Sequence, residues 1–339
     1  MLVAFFFAAL LPLGILAANV VLTNDDGWAE INVRMFYDAL TNAGESVVLS
    51  SPAENKSGYG SQNHSATPLT STCEWDSCPS GSPAQGFNSS NKRLNYVNSD
   101  PVTSMQYGIE TLSPRFFGGA PVFAVAGVNV GANLGGTTLI SGTVGAASYA
   151  ATQGIPSIAF SGVTGTQTAW TALVQPYMTV YAALATNLTQ ELLASEKPYL
   201  PPNIWLNVNF PAVGSTCSRP DQFRFVLSRI NAANGNATPL DVAVCGGTRL
   251  PTETDVVGTS SGCHASVSVG EASSKLDANA SAQQVVLGKL KSVLRCLDNT
   301  TTNTQSSSPR SALAAPVPVP GVLAIFMPVL VCIIMLGSN

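Results

Sequence analysis

The sequence predicts a three-layer α/β/α fold with a Rossmann-like, mostly parallel sheet and an antiparallel hairpin extension in the C-terminal third. Its strand candidates, such as residues 20–22, are short continuous apolar runs, which are typical of strands buried on both faces of a parallel sheet. These runs alternate with segments of helical periodicity, the order expected of parallel α/β sheets. Between residues 221 and 270 the pattern changes to alternating apolar and polar residues, which favours antiparallel hairpins.

The predicted elements begin with a strand at residues 20–23, the acidic turn Asn24-Asp25-Asp26-Gly27 and an amphipathic helix that Gly44 ends. A short strand at 47–49 completes a parallel βαβ unit. The later elements are strand 94–98, a helix from Asp100 to about residue 112, strand 121–126, a helix from Ser141, strand 157–160, helix 169–194, strand 204–208 and a closing helix at 282–297.

Composition excludes some classes of function. The chain has 339 residues, of which 45% are hydrophobic and 10% are charged, and it carries a net charge of −4. Such a chain can bury the core of one large domain or two. It offers no basic surface, so we expect no nucleic-acid polymer as a partner.

Both ends of the chain carry processing signals. Residues 1–18 hold an apolar block that ends in small residues, which indicates a secretory signal peptide. Residues 300–339 combine a Ser/Thr/Pro spacer with an apolar end, the layout of a GPI-attachment signal with Ser306 as the attachment site. A retained transmembrane helix at this end is the alternative. We therefore expect a domain at 19–299 in a secreted or cell-surface protein, with a lipid anchor as its link to the membrane.

Cysteines and sequons agree with secretion. Six cysteines lie outside the C-terminal signal and allow fifteen different disulfide connectivities. One pair that closes a small loop is expected to staple an excursion from the sheet at residues 61–93. Zinc is not expected, because no C-x-x-C spacing occurs and the chain has only two histidines. The disulfide candidates are Cys73, Cys78, Cys217, Cys245, Cys263 and Cys296, with Cys73–Cys78 as the best single pair. The expected glycosylation sites are Asn63, Asn88, Asn187, Asn236, Asn279 and Asn299.

Two stretches carry candidate chemistry. Asp25 and Asp26 follow a buried strand, where paired carboxylates suit a hard cation; capping of the next helix is the alternative. Asn129 and Asn133 lie in a glycine-rich turn after another strand, and their amides can bind a metal or a phosphate, or simply form the turn. The helix start at Ser141 can hold an anion or be a plain N-cap.

Three other residues of chemically reactive types are interpreted as non-catalytic. Ser260 lies in a G-x-S-x-G pattern, but a strand-like segment follows it where the nucleophile of a serine hydrolase needs a helix. His64 and His264 are interpreted as surface loop or strand residues. A serine esterase is therefore the third-ranked function.

Together these motifs resemble the SurE family of metal-dependent phosphatases that act on nucleoside monophosphates and other phosphomonoesters. The resemblance rests on residues 24–27, 55–58, 127–135 and 141–144, which occur in the order and context of that family, and it looks closest to a secreted fungal acid-phosphatase-like branch. It departs from the family pattern at Ala126, where a serine is usual. The Asn55 sequon, whose third residue is Ser57, also departs from it, and we expect Asn55 to carry no glycan.

The resemblance implies a set of site residues. A divalent cation, Mg²⁺ or Mn²⁺ with Ca²⁺ as an alternative, would be held by Asp25, Asp26, the Ser57 hydroxyl and the Asn129 amide. The substrate phosphate would be held by Asn24, Asn133, Ser141, Gly142 and Thr143. The expected reaction is attack of a metal-activated water on phosphorus, with Asp25 in proton transfer. A catalytically silent surface glycoprotein of the same fold is the second-ranked function, and a homo-oligomer is left open.

Overall fold

A nine-stranded mixed sheet forms the centre of the part of the chain that the computed structural model describes, residues 17–259 and 262–297. The strand order is β3-β4-β2-β1-β5-β6-β7-β9-β8. The strands are β1 Asn19–Thr23, β2 Ser46–Pro52, β3 Gln85–Phe87, β4 Leu94–Val97, β5 Phe123–Val130, β6 Ser157–Gly162, β7 Ile204–Phe210, β8 Arg224–Ser228 and β9 His264–Glu271.

The strand order of the sheet reverses between β1 and β5. Six neighbouring strands, from β4 to β7 in the sheet order, run parallel. The chain first builds outward from β1 through β2 to β4 and then returns to build the other half from β5. In such sheets ligands bind at the carboxyl ends of the strands where the order reverses. The turn after β1 and the end of β5 both lie at this point.

Helices cover both faces of the sheet, which confirms the predicted three-layer α/β fold. One face packs apolar residues of α1 and α5, such as Phe36 and Leu184, and the other packs α2 and α4, such as Met105 and Val144. The helices are α1 Ile31–Asn42, α2 Pro101–Tyr107, α3 Ser113–Phe117, α4 Gly142–Thr152, α5 Pro176–Leu193, α6 Glu253–Gly258 and α7 Ala280–Lys289. Within the described residues, no helix combines the length and apolar character needed to cross a membrane.

Three predicted helices have different bounds in the structure. The closing helix predicted at 282–297 is α7, which ends at Lys289, and Leu294 instead forms a β-bridge with Phe225 of β8. The helix after Asp100 continues beyond residue 112, because a π-helical segment, Gly108–Leu112, joins α2 to α3. The helix predicted at 169–194 begins only at Pro176. Proline favours the first position of a helix and keeps the preceding residue extended. Ala169 instead forms a β-bridge with Glu30.

The C-terminal third forms no hairpin between its two alternating strands. β9 runs antiparallel to β7, but β8 runs parallel to β9. The alternation correctly indicated strands there, but the predicted hairpin pairing was wrong. Alternation reports which face of a strand is buried and carries no information on the direction of its neighbour.

Three disulfides join the six candidate cysteines. Cys73 pairs with Cys78 as predicted and closes a small loop within the excursion. The other pairs are Cys217–Cys263 and Cys245–Cys296. Such bonds persist in oxidising compartments, which favours secretion.

Most predicted glycosylation sites are accessible. The side chains of Asn63, Asn187, Asn236 and Asn279 are exposed, and Asn88 is half-buried. Asn299, Ser260, Ser306 and the two terminal signals, apart from residues 17 and 18, lie outside the described residues.

Candidate active site

The acidic turn lies at the point where the strand order reverses. β1 ends at Thr23, which is in register with Ala126 of β5, so the turn at 24–27 lies beside the end of β5. Gly27 has a φ of 110°, and a Cβ there would overlap the Glu74 carboxylate. Only glycine allows this sharp turn together with the close approach of a neighbouring side chain.

Asp25 is held by the first turn of α4. The Thr143 hydroxyl donates to Asp25 Oδ1 at 2.6 Å, and the Thr143 backbone N–H donates to Oδ2 at 3.1 Å. Both side chains are almost wholly buried. Burial raises the pKa of the Asp25 carboxyl, and the two Thr143 hydrogen bonds oppose this shift by favouring the charged form.

Asp26 is bound from three separate segments. Its Oδ2 accepts from the Val130 backbone N–H at 2.9 Å, and its Oδ1 accepts from Gln167 Nε2 at 2.6 Å. The Ser57 hydroxyl approaches Oδ1 at 3.5 Å. Burial, followed by the charges of Asp25 and Glu30, raises the pKa of Asp26 well above its ordinary value.

The residues around this pair fit a hard cation. Asn129 donates its amide N–H to the Gly131 carbonyl at 2.6 Å, which leaves its buried Oδ1 without a hydrogen-bond partner. Asn24 is similar, because its Nδ2 donates to the Gly27 carbonyl and its Oδ1 has no partner. In the described segments, neither Asp25 nor Asp26 takes part in an ion pair. Two carboxylates, a hydroxyl and an amide oxygen form a donor set of the kind that Mg²⁺ and Mn²⁺ prefer.

His, Cys, Asp and Glu alone do not make a metal centre here. In residues 17–259 and 262–297, no group of three or more such side chains is placed to hold a metal ion. A metal at this site therefore depends on the neutral oxygens of Ser57 and Asn129 as well as on the two carboxylates.

The predicted phosphate side chains have partners within the protein. The Ser141 hydroxyl caps α4 by accepting from the Val144 N–H at 3.1 Å, and the Thr143 hydroxyl is committed to Asp25. Gly142 packs tightly, since a Cβ there would lie 2.9 Å from the Asp25 Cβ. Thr143 thus orients a carboxylate in this structure, and its direct contact with phosphate stays a prediction.

Asn133 lies in a buried amide network. Its Nδ2 donates to Ser161 Oγ at 2.9 Å, and its backbone N–H donates to Asn209 Oδ1 at 2.8 Å. Asn207 donates to the Asn133 carbonyl at 2.8 Å and to the Glu253 carboxylate at 2.9 Å. This network fixes the glycine-rich turn against β6 and β7.

Sequence reasoning missed several groups near the site. Glu30 is buried, caps α1 with one carboxylate oxygen, and has a pKa raised to about 8, chiefly by burial. Glu74 approaches Gly27 from the excursion, and burial raises the pKa of its carboxyl to about 7. Gln167 and Val130 both bind Asp26. Of these residues, only Glu30 could have been found from the local sequence, because it stands immediately before a helix. The others are distant in sequence from Asp25 and Asp26 and come near them only in the folded chain.

Fold and site together define a doubly wound α/β protein with a buried carboxylate pair and an unpaired amide oxygen in its crevice. A family model described as survival protein SurE matches residues 20–237. The chain belongs to the SurE family.

Individual relatives agree with this assignment. An acid phosphatase of Yarrowia lipolytica is 31% identical over 290 residues, which cover 74% of this chain and 78% of that protein. A 5'-nucleotidase SurE of Lawsonia intracellularis is 30% identical over 195 residues, covering 58% of this chain and 66% of that protein. The crystal structure of the SurE protein from Aquifex aeolicus has a TM-score of 0.53 at 20% identity, over 75% of this chain and 93% of that one, and shares the fold.

Proposed function

We propose that the chain hydrolyses phosphomonoesters, including nucleotides, with a divalent cation bound at the acidic turn. That it is a phosphatase is indicated by its family and by its similarity to proteins named acid phosphatase and 5'-nucleotidase. The observation that carries the metal proposal is the buried pair Asp25 and Asp26 beside the unpaired Asn129 Oδ1.

The residues that would hold Mg²⁺ or Mn²⁺ are Asp25, Asp26, Ser57 and Asn129. When bound, the cation supplies positive charge that polarises a phosphoryl oxygen and lowers the pKa of an attacking water. The protein's part is to orient these oxygens: Thr143 fixes Asp25, while Val130 and Gln167 fix Asp26. Such fixed ligands need little reorganisation during the reaction.

The substrate phosphate would lie against the start of α4. The Ser141 oxygen accepts from the helix, so its hydroxyl hydrogen can donate to a phosphate oxygen. The positive end of the helix dipole favours the dianion at the same place. Asp25 would accept the proton that the attacking water loses as its oxygen bonds to phosphorus.

Asp26→Asn tests the metal site. The substitution keeps the shape of the side chain and removes one charged oxygen, so we expect loss of Mn²⁺ binding in equilibrium dialysis and of divalent-dependent phosphate release from nucleotides and an aryl phosphate. Asp221→Asn is the matched control, because Asp221 is exposed and forms a surface ion pair with Arg219. Wild-type turnover and unchanged Mn²⁺ affinity in Asp26→Asn would contradict the proposed site. Wild-type protein that binds Mn²⁺ and releases no phosphate would instead favour the silent glycoprotein.

We further propose that the mature protein is secreted and bound to the cell surface by a GPI anchor at Ser306. The signals at 1–18 and 300–339 support this, as do the three disulfides and the exposed sequons. Treatment of membranes with a phosphatidylinositol-specific phospholipase should release the protein. Recovery of a peptide that contains Cys332 from the mature protein would show that the C-terminal segment is retained.

A further inference from the structure

We propose that His64 is the general acid that protonates the leaving oxygen of the substrate, and that Asp100 positions it. The proposal rests on the proposed phosphatase function. It adds a group from the start of the excursion at residues 61–93, which the sequence motifs leave without a role.

His64 and Asp100 form an oriented pair. His64 Nδ1 lies 2.7 Å from Asp100 Oδ2, and the same oxygen accepts from the His64 backbone N–H at 2.7 Å. The Asp100 side chain is 4% exposed, whereas that of His64 is 71% exposed. A carboxylate bound at Nδ1 keeps the proton on that nitrogen and directs Nε2 outward.

The Asp100 side chain bonds to His64 and not to the backbone of the helix that it precedes. It occupies the N-cap position of α2, where an aspartate usually accepts from the first backbone N–H groups, but its side chain makes no such cap hydrogen bond. The His64 carbonyl is fixed as well, since it accepts from the hydroxyls of Ser99 at 2.6 Å and Thr103 at 2.8 Å. The imidazole is therefore carried by a firmly held backbone.

This pair borders the candidate active site. A Cβ placed on Gly142 would lie 2.8 Å from Pro101 Cγ and 3.0 Å from Asp25 Oδ2, so the residue after Asp100 packs beside Asp25. The segment that carries His64 starts at Ser57 and crosses the first turn of α4, where Gly60 closely approaches Gly145. His64 is thus linked to the site through Asp100, because Asp100 binds the imidazole and the next residue, Pro101, packs against Gly142 beside Asp25.

The chemistry needs an acid at this place. As the water oxygen bonds to phosphorus, the phosphorus–oxygen bond to the leaving group breaks, and its electron pair stays on that oxygen. An alkoxide is a poor leaving group, so transfer of the imidazolium proton from His64 Nε2 to this oxygen stabilises the transition state. The neutral imidazole regains its proton from solvent before the next turnover. The charged group that contacts the imidazole is Asp100, the N-cap residue of α2. Glu110, in the π-helical segment, accepts from Gln106, which in turn accepts from the Asn63 side chain next to His64 in the chain.

The test compares two phosphate esters, because a nitrophenolate leaves without protonation and an alkoxide does not. Wild type and His64→Asn are assayed with Mn²⁺ on nitrophenyl phosphate and on glycerol phosphate. The asparagine amide can still donate to Asp100, has no proton to give, and preserves the Asn63 sequon. We expect the ratio of kcat/KM for glycerol phosphate to that for nitrophenyl phosphate to fall about 10²-fold or more. Asp100→Asn should lower the same ratio, because it removes the charge that orients the imidazole.

Ser80→Ala is the matched control, since it removes an exposed hydroxyl of the same excursion that donates to the Thr70 carbonyl and contacts neither His64 nor Asp100. It should keep the wild-type ratio. Equal losses on both esters in His64→Asn, or no loss on either, would overturn the acid role. A wild-type enzyme that releases phosphate from neither ester would overturn the proposed function, and this inference with it.

Discussion

The hydrogen bond from Thr143 to Asp25 offers the sharpest test of how the site is built. Thr143→Val keeps the branched shape of a side chain that is 0% exposed and removes only the hydroxyl that donates to Oδ1 at 2.6 Å. A hydrogen bond to a charged group contributes about 1.5–3 kcal/mol. At about 1.4 kcal/mol per tenfold change, kcat/KM should fall about 10- to 100-fold.

Mn²⁺ affinity without substrate separates two roles for this hydroxyl. If it orients Asp25, affinity for the metal should fall together with kcat/KM, because a misplaced carboxylate binds the cation less well. If it contacts only the phosphate, metal affinity should stay unchanged. The control is Thr189→Val, which removes an equally buried hydroxyl, donating to the Ala185 carbonyl at 2.8 Å in α5 on the far face of the sheet. Wild-type kcat/KM in Thr143→Val would refute the reasoning.

Two further changes probe the surroundings of the site. Burial raises the pKa of Glu253 from 4.5 to about 8, so the contribution of the neutral carboxyl to stability is complete below pH 4.5 and is lost as the pH rises through about 8. Glu253→Gln should remove this part of the pH dependence of the unfolding free energy, measured by urea denaturation. The same change in unfolding free energy from pH 5 to 8 in both proteins would contradict it. Gly142→Ala should lower the free energy of unfolding by about 1–3 kcal/mol and impair turnover, because the new Cβ would lie 2.8 Å from Pro101 Cγ. The control is Gly119→Ala, at an exposed position with open space around it. Equal melting temperatures for the two variants would count against the steric argument.

The parallel half of the fold could be predicted because its signals are local. The run at 20–22, the glycine turn and the helix spacing up to Leu40 together specify a βα unit, and the structure confirms it as β1 and α1. Strand direction in the C-terminal third was not predictable. Whether β8 pairs parallel or antiparallel to β9 depends on how the 229–263 connection folds, and alternation within a strand is identical in both cases.

The site was predictable to the extent that its residues stand at strand ends. Asp25, Asp26 and Asn129 follow two strands that turn out to be neighbours, so their proximity follows from topology. Thr143's partner was not predictable, because the contact joins residues 118 positions apart and uses a hydroxyl that the family resemblance assigns to phosphate. Gln167 and Glu74 carry no motif and reach the turn only in the folded chain.

The late position of β9 in the chain has a consequence for biosynthesis. Within the sheet, β8 lies at the edge with β9 as its neighbour, and β9 is translated well after β8. At about 5–20 residues per second, the β8 segment waits some seconds before the partner strand is synthesised. Cys263 directly precedes β9 and bonds to Cys217 just ahead of β8, so this disulfide cannot form before the chain has been synthesised as far as the start of β9. The nascent protein therefore presents an apolar strand and a reduced cysteine together, a combination that chaperones and thiol oxidoreductases are suited to recognise.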